Sequence, residues 1–385
     1  MPQKTIRFGI IGGGLMGREF ASAAARWCHL IKQDVKPEIV ALCDPAPAAA
    51  AWFKDYVPSL RQVTADYKEL LAVRDIDAVY AAVPHNLHAQ VYCDVIESGK
   101  ALLGEKPFGI DRPANARISA TIAKHRKTLV CCSSEIPFYP GAYAIAEMVR
   151  QSKFGRIIEV EAGFWHSSDL NPLKPINWKR RVATNGAYGC MGDLGMHVLH
   201  LPLRFGWRPA SVRALLSKVM ETRPDGKGGQ AACETWDNAT LACDVEAGDQ
   251  HFPMILSTKR IAPGHNNTWF IKVTGTELSA EYSTKDPKRL ATLPYTPGGE
   301  QAWHVIDVPY KSAYETITGH IFEFGFSDSI VQMWAAFCDE FAHGRPGMSQ
   351  PLYCATPQEA ADSHALFTAA VRSHDTSQTI RPEYD

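Results

Sequence analysis

No Cys-x-x-C pair occurs among the ten cysteines, so neither a zinc ribbon nor a thioredoxin-like redox centre is indicated. The cysteines are scattered, several within apolar runs such as Leu129-Val130-Cys131-Cys132, and read as small buried hydrophobes in a reducing compartment. No block of like charge stands out. With 40 Lys and Arg against 41 Asp and Glu, the formal charge is −1, and neither nucleic acid nor a membrane surface is expected as a partner. No apolar run reaches the roughly 18 residues of a membrane span. Met1-Pro2-Gln3-Lys4-Thr5 leads into a strand pattern and not into the apolar core of a secretion signal, so a cytoplasmic location is expected. There is no internal repeat, and no low-complexity segment apart from the alanine-rich Ala46–Ala51. His85/His88 and His197/His200 are spaced three apart but lack cysteine or carboxylate partners at ligand spacing, so no metal is expected.

What remains is an ordinary globular composition, 45% hydrophobic and 21% charged, long enough for about two or three domains. In the first third, apolar strand patterns (Ile6–Ile11, Glu38–Cys43, Ala78–Val83, Ala101–Leu103, Thr128–Cys131) alternate with helical ones (Met16–Trp27, from about Ala46, Asp66–Leu71, His88–Ser98, Ala114–Lys124). Such alternation predicts an α/β fold on a parallel sheet covered on both faces. Beyond about Glu135 the rhythm changes. A helix and a strand lead to a long polar loop up to about Gly189, then a helix, then strand upon strand, which predicts a mainly antiparallel sheet. Two helical stretches, near Ser329–His343 and Pro357–Ser373, close the chain.

Gly12-Gly13-Gly14-Leu15-Met16-Gly17 fits G-x-G-x-x-G between a strand and a helix, the context that gives the pattern its meaning. Gly12 would permit the tight turn, Gly14 the approach of a pyrophosphate, and Gly17 close packing of helix on strand, with Leu15 and Met16 in the same phosphate-facing loop. Asp44 ends the second strand, where a carboxylate accepts hydrogen bonds from ribose hydroxyls and repels a 2′-phosphate, which argues for NAD over NADP. Residues Cys28–Lys36 lengthen the spacing to Asp44 and read as a surface extension. The expected division is a Rossmann domain over residues 1–135 and a second, α+β domain over 136–385.

Three more motifs, in order along nearly the whole chain, carry a family resemblance: Val83-Pro84-His85-Asn86-Leu87-His88, Gly104-Glu105-Lys106-Pro107, and Gly192-Asp193-Leu194-Gly195-Met196-His197. With the fingerprint, they resemble the glucose–fructose oxidoreductase / inositol dehydrogenase / rhizopine-catabolism (Gfo/Idh/MocA) family. The resemblance implies an open, mainly antiparallel sheet in the second domain, often the surface on which subunits pair, and hence a homo-oligomer, a dimer or tetramer. It implies that Pro84, Asn86, His88, Glu105 and Lys106 lie beside the nicotinamide half of the cofactor, and that Lys106-Pro107 is a cis peptide.

Oxidation of a carbinol needs a base for the hydroxyl proton as the hydride leaves. Asp193 and His197 stand i, i+4 on one predicted helix and so face the same way. By the family pattern His197 is the acid or base, Asp193 orients it or binds a neighbouring hydroxyl, and Lys106 bonds the reacting oxygen. A lysine placed between a positive nicotinamide and a substrate is also a candidate base, and the choice between Lys106 and His197 stays open. On the substrate side, Trp165 and Trp178 offer apolar faces to a sugar, and Lys179 and Arg180 offer donors. Glu135 stands where many members of the family carry other residues, and could accept from sugar hydroxyls. The reading is therefore an NAD-dependent oxidoreductase acting on a sugar, glycoside or polyol hydroxyl, such as a pyranoside 3-hydroxyl. Two others share its motifs: a redox-neutral glycoside hydrolase working by transient oxidation and elimination, and a non-catalytic sugar sensor.

Overall fold

A computed structural model describes residues 3–384. The chain divides into two compact units that do not coincide with two halves of the sequence.

The first unit begins with β1 (Lys4–Ile11), α1 (Leu15–Ala25), β2 (Val35–Cys43), α2 (Pro47–Tyr56), β3 (Gln62–Thr64), α3 (Tyr67–Leu71), β4 (Ala78–Ala81), α4 (His88–Glu97), β5 (Ala101–Glu105), α5 (Arg112–Lys124) and β6 (Val130–Ser133). Its six strands are all parallel, in the order β3-β2-β1-β4-β5-β6. This is the doubly wound order, whose switch point lies between β1 and β4 and whose ligands sit beyond the carboxyl ends of the strands. Every residue of β4 and β5 is buried, as a strand covered on both faces requires. The residues before β2 are more than a surface extension: Trp27 and Leu30 are buried, the Trp27 indole donates to Val35 O at 2.8 Å, and β2 starts at Val35.

The second unit carries α6 (Pro140–Arg150), β7 (Ile157–His166), α7 (Val182–Asn185), α8 (Cys190–Arg204), β8 (Pro209–Ser217), a small hairpin of β9 (Thr222–Pro224) and β10 (Gln230–Ala232), then β11 (Asn238–Ala247), β12 (Gln250–Lys259), β13 (Asn266–Gly275), β14 (Leu278–Ser283), β15 (Arg289–Pro294) and β16 (His304–Asp307). The large sheet runs β16-β15-β14-β13-β7-β12-β11-β8 and is antiparallel apart from the parallel pair β7/β12. The helix α8 is buried from Cys190 to Leu203. It is fastened to the sheet by the Trp269 indole, which donates to His197 O at 3.0 Å.

The two closing helices part company. α9 (Phe326–His343) belongs to the first unit with the rest of residues 312–357, while α10 (Pro357–Thr376) joins the second. A single boundary at residue 135 is thereby corrected. The reason is apolar: Trp334 of α9 stacks on Phe8 of β1 at 4.9 Å and meets Phe20 of α1 edge-on at 4.8 Å, filling a face that residues 1–138 leave open. In the second unit, α10 packs Phe367 against Gly195 of α8, where a Cβ would come within 2.3 Å of the ring.

Candidate active site

The glycine loop of the first unit is shaped by contacts that exclude side chains. Gly12 has φ +102°, and a Cβ there would lie 2.3 Å from Ala82 O. A Cβ on Gly17 would lie 2.2 Å from Gly12 O, so α1 can approach the loop this closely with glycine alone. Over Gly14, by contrast, there is open space. The helix α1 starts at this point with no side-chain cap and no acidic residue in its first turn, which leaves its amides directed outward. Asp44 sits at the same end of the sheet, its carboxylate accepting from Gly13 N–H at 2.7 Å and Ala46 N–H at 2.8 Å. These residues fit a dinucleotide: room and free amides for a pyrophosphate, and a carboxylate for a ribose. In the same loop Leu15 is 77% exposed and Met16 half-buried.

Beyond β4 and β5 the chain gathers a second group. Pro84 is half-buried and Asn86 exposed. His88 is fully buried: its Nε2 pairs with Val83 O at 3.0 Å, its Nδ1 faces Gly109 N–H at 3.5 Å, and its ring stacks on Tyr92 at 4.6 Å. A histidine so enclosed supports the turns around it and has no face to offer a ligand. Lys106 follows β5, and the Lys106-Pro107 peptide is cis. Beside it Glu105 is buried, accepting from the Tyr80 hydroxyl at 2.7 Å, while Tyr92 donates to Glu105 O at 2.7 Å. Glu135 lies just past β6, 3% exposed. Burial pushes its carboxyl from 4.5 up to about 7, the Glu105 charge adding to the rise and Lys106 opposing it.

In the second unit Asp193 and His197 are one turn apart on α8, both buried. Asp193 accepts from Lys179 Nζ at 2.9 and 3.0 Å and is paired with Arg260. The His197 ring meets Phe164 edge-on at 5.4 Å, and Phe164 in turn lies 4.9 Å from the His166 ring. Trp178 and Lys179 occupy one short turn, the ammonium 5.5 Å from the indole centre, and both remain partly open to solvent.

Two of the substrate candidates lie elsewhere. Arg180 is 1% exposed, its guanidinium spent on Asp169 at 2.5 Å and on Asp237, so it braces the loop from inside and reaches no ligand. Trp165 points to the opposite face of the sheet from Phe164 because side chains alternate along a strand. There it meets Phe270 and His265 edge-on, at 4.9 and 4.8 Å, and the Lys259 ammonium.

Against known proteins, residues 6–133 match the description "oxidoreductase family, NAD-binding Rossmann fold", and residues 143–281 match the GFO/IDH/MocA C-terminal domain. The chain belongs to the Gfo/Idh/MocA family. Levoglucosan dehydrogenase of Pseudarthrobacter phenanthrenivorans is 24% identical over 333 residues, 78% of this chain and 84% of that one. Inositol 2-dehydrogenase of Rhizobium meliloti is 26% identical over 286 residues, 74% and 77%. A solved structure of levoglucosan dehydrogenase in complex with NADH superposes with a TM-score of 0.87 at 18% identity, covering 99% of this chain and 100% of that one, a likeness of fold.

What sequence reading missed in this Gfo/Idh/MocA protein is the ring of charge behind Asp193. Asp169 is fully buried and bound by Arg180, Arg260 and Lys174 at 2.5, 2.6 and 2.8 Å. Burial alone would raise its carboxyl, but Arg260, Lys174 and Arg180 together hold it well below the usual carboxylate range. Arg223, also buried, donates to the main-chain oxygens of Asp169, Asn171 and Lys174 and shapes the same loop. The one signal available was the density of Asp, Lys and Arg within residues 169–181; Asp169 finds Lys174 and Arg180 inside that run, but Asp237 and Arg260 lie dozens of residues away.

Proposed function

We propose that the protein is a dehydrogenase that oxidises a secondary hydroxyl of a sugar, glycoside or cyclic polyol, using NAD. The support comes from one combination within a family of NAD-binding oxidoreductases: a lysine at the carboxyl end of a central strand, and an Asp–His pair on one helix face. Bound NAD would supply the hydride acceptor, and the chain's part is to hold the substrate and take the hydroxyl proton. Lys106 and His197 are the two side chains suited to that proton. Asp193, facing two cations, would accept from a neighbouring hydroxyl and orient the imidazole. Trp178 would offer its face to the sugar ring and Lys179 a donor. Glu135, with a carboxyl near neutrality, is able both to accept from and to donate to a hydroxyl. NAD is preferred over NADP because the Asp44 carboxylate, pinned by Gly13 and Ala46, would repel a 2′-phosphate.

Two relatives are named for levoglucosan and inositol, so those head the panel. Purified protein with NAD or NADP and levoglucosan, inositol, free sugars, glycosides and sugar acids is followed by the absorbance of reduced nicotinamide. The expected result is a rise with NAD that Lys106→Ala and His197→Ala abolish while NADH binding persists. No rise, together with retained cofactor and cleavage of a glycoside, replaces this reading with the redox-neutral hydrolase, and silence in both assays overturns it.

The outer face of the large sheet, with Trp165, Phe270, Lys272, Arg289 and Val305 around one hollow, is proposed as the surface that pairs subunits. Light scattering should return a dimer or tetramer; a monomer refutes the pairing.

A further inference from the structure

We propose that Arg260 is a positioning residue: it holds Asp193 in its working orientation and locks the loop of residues 166–181 to the helix that carries Asp193. The inference rests on the role given to Asp193 above. Arg260 follows β12 directly, at the carboxyl end of the parallel pair β7/β12, and Asp169 lies just past the same end of β7. Each guanidinium nitrogen has its own acceptor. Nε donates to Asp169 at 2.6 Å, Nη2 to the Ser168 hydroxyl at 3.1 Å, and Nη1 to Asp193. The main chain repeats the link: Arg260 N–H donates to Asp237 O at 2.9 Å, and Asp169 N–H donates to Arg260 O at 3.3 Å. The result is a chain of alternating charge, Asp193–Arg260–Asp169–Arg180–Asp237, in which no side chain is more than 10% exposed.

The two cations on Asp193 differ in kind. Lys179 brings a single rotatable ammonium on a flexible stem, and its side chain is 29% exposed. That stem lets it trade Asp193 for a substrate hydroxyl. Arg260 brings a planar fork whose other two arms are already fixed, so it cannot follow. When Lys179 turns to a ligand, Arg260 keeps the Asp193 carboxylate aimed. A lysine at position 260 would keep the charge and lose the three-way fork.

The test uses the full-length protein and compares Arg260→Gln, Arg260→Lys, Asp193→Asn and the double variant Arg260→Gln/Asp193→Asn. Hydride transfer from levoglucosan to NAD and amide hydrogen exchange are measured. Arg260→Gln should lower kcat about 100-fold, the scale of an ångström-sized misplacement, with KM for NAD unchanged. Exchange should quicken about tenfold or more in residues 168–181 and stay as it was in the first unit. Arg260→Lys should recover less than about a tenth of the lost rate. In the Asp193→Asn background, Arg260→Gln should cost less than about threefold, because its effect runs through Asp193. Full activity with unchanged exchange in Arg260→Gln overturns the proposal, as does an undiminished loss in the double variant, which marks general destabilisation. Asp193→Asn with full activity defeats the role given to Asp193 instead. The exchange pattern then decides the loop lock by itself, as it does if levoglucosan is not turned over.

Discussion

In the first unit, main chain places the candidate groups: Gly12 and Gly17 set the loop, the strand ends β2 and β5 set Asp44 and Lys106, and the carboxyls beside Lys106, Glu105 and Glu135, come from the ends of adjacent strands. In the second unit the corresponding work falls to side chains drawn from residues 169, 179, 180, 193, 237 and 260, tied by ion pairs that are almost wholly buried. Main-chain placement is written in contiguous motifs. A charge web is written in partners that become neighbours through folding alone. The first arrangement should be intolerant of added volume, and the second of a removed partner.

The largest expected effect breaks the web at its most buried cation. Arg180→Met leaves Asp169 and Asp237 short of a partner and should cost about 3–5 kcal/mol in urea unfolding, whereas Lys179→Met next door should cost under about 1 kcal/mol. Equal losses at the two positions would erase the distinction between brace and ligand arm. The volume test comes next. Gly17→Val should weaken NADH binding about 100-fold or more in a fluorescence titration, because its Cβ already meets Gly12 O. Unchanged binding would mean that the loop yields.

Glu135 sharpens the comparison through pH. Its carboxyl holds a proton up to about 7 in the folded protein and up to about 4.5 when unfolded, so its contribution to stability is complete below the lower value and is lost as pH rises through the upper one. Glu135→Gln removes that titration. It should stabilise the protein on the order of 2–3 kcal/mol near about pH 8 and by little near about pH 5. A difference that stays flat with pH rules this out. Smaller still, Asp44→Ser should move the ratio of NAD to NADP affinity by about tenfold toward NADP. The smallest effect is expected at Trp165→Phe, which should leave kcat/KM within about twofold since the indole faces away from α8.

The parallel sheet, the fingerprint, Asp44 and the position of Lys106 were legible because each depends on a short run of sequence with its own geometry. Trp165 and Arg180 were misassigned because residue type alone hides which face of a strand, or which side of a loop, a side chain takes. His88 shows the same limit: its motif is readable, but the enclosure by Val83, Gly109 and Tyr92 is not. The pairing of Asp169 with Arg260 was not legible, since an aspartate and an arginine 91 residues apart become a pair only in three dimensions. The strands β15 and β16 escaped notice because they are short and partly polar on both faces, with little period to read, and β14 because its alternation spans only six residues.

The return of residues 312–357 to the first unit also sets a timetable for synthesis. A ribosome that has completed β6 has made every strand of the parallel sheet, yet Phe8 and Phe20 still lack Trp334. At about 5–20 residues per second, the missing helix follows some tens of seconds later. Through that interval the nascent sheet carries an uncovered aromatic face, and the second unit is translated in full view of it. Chaperones that hold apolar surface, and codon choices that shorten the wait, should therefore matter more for the yield of this protein than for one whose dinucleotide domain is complete when its last strand emerges.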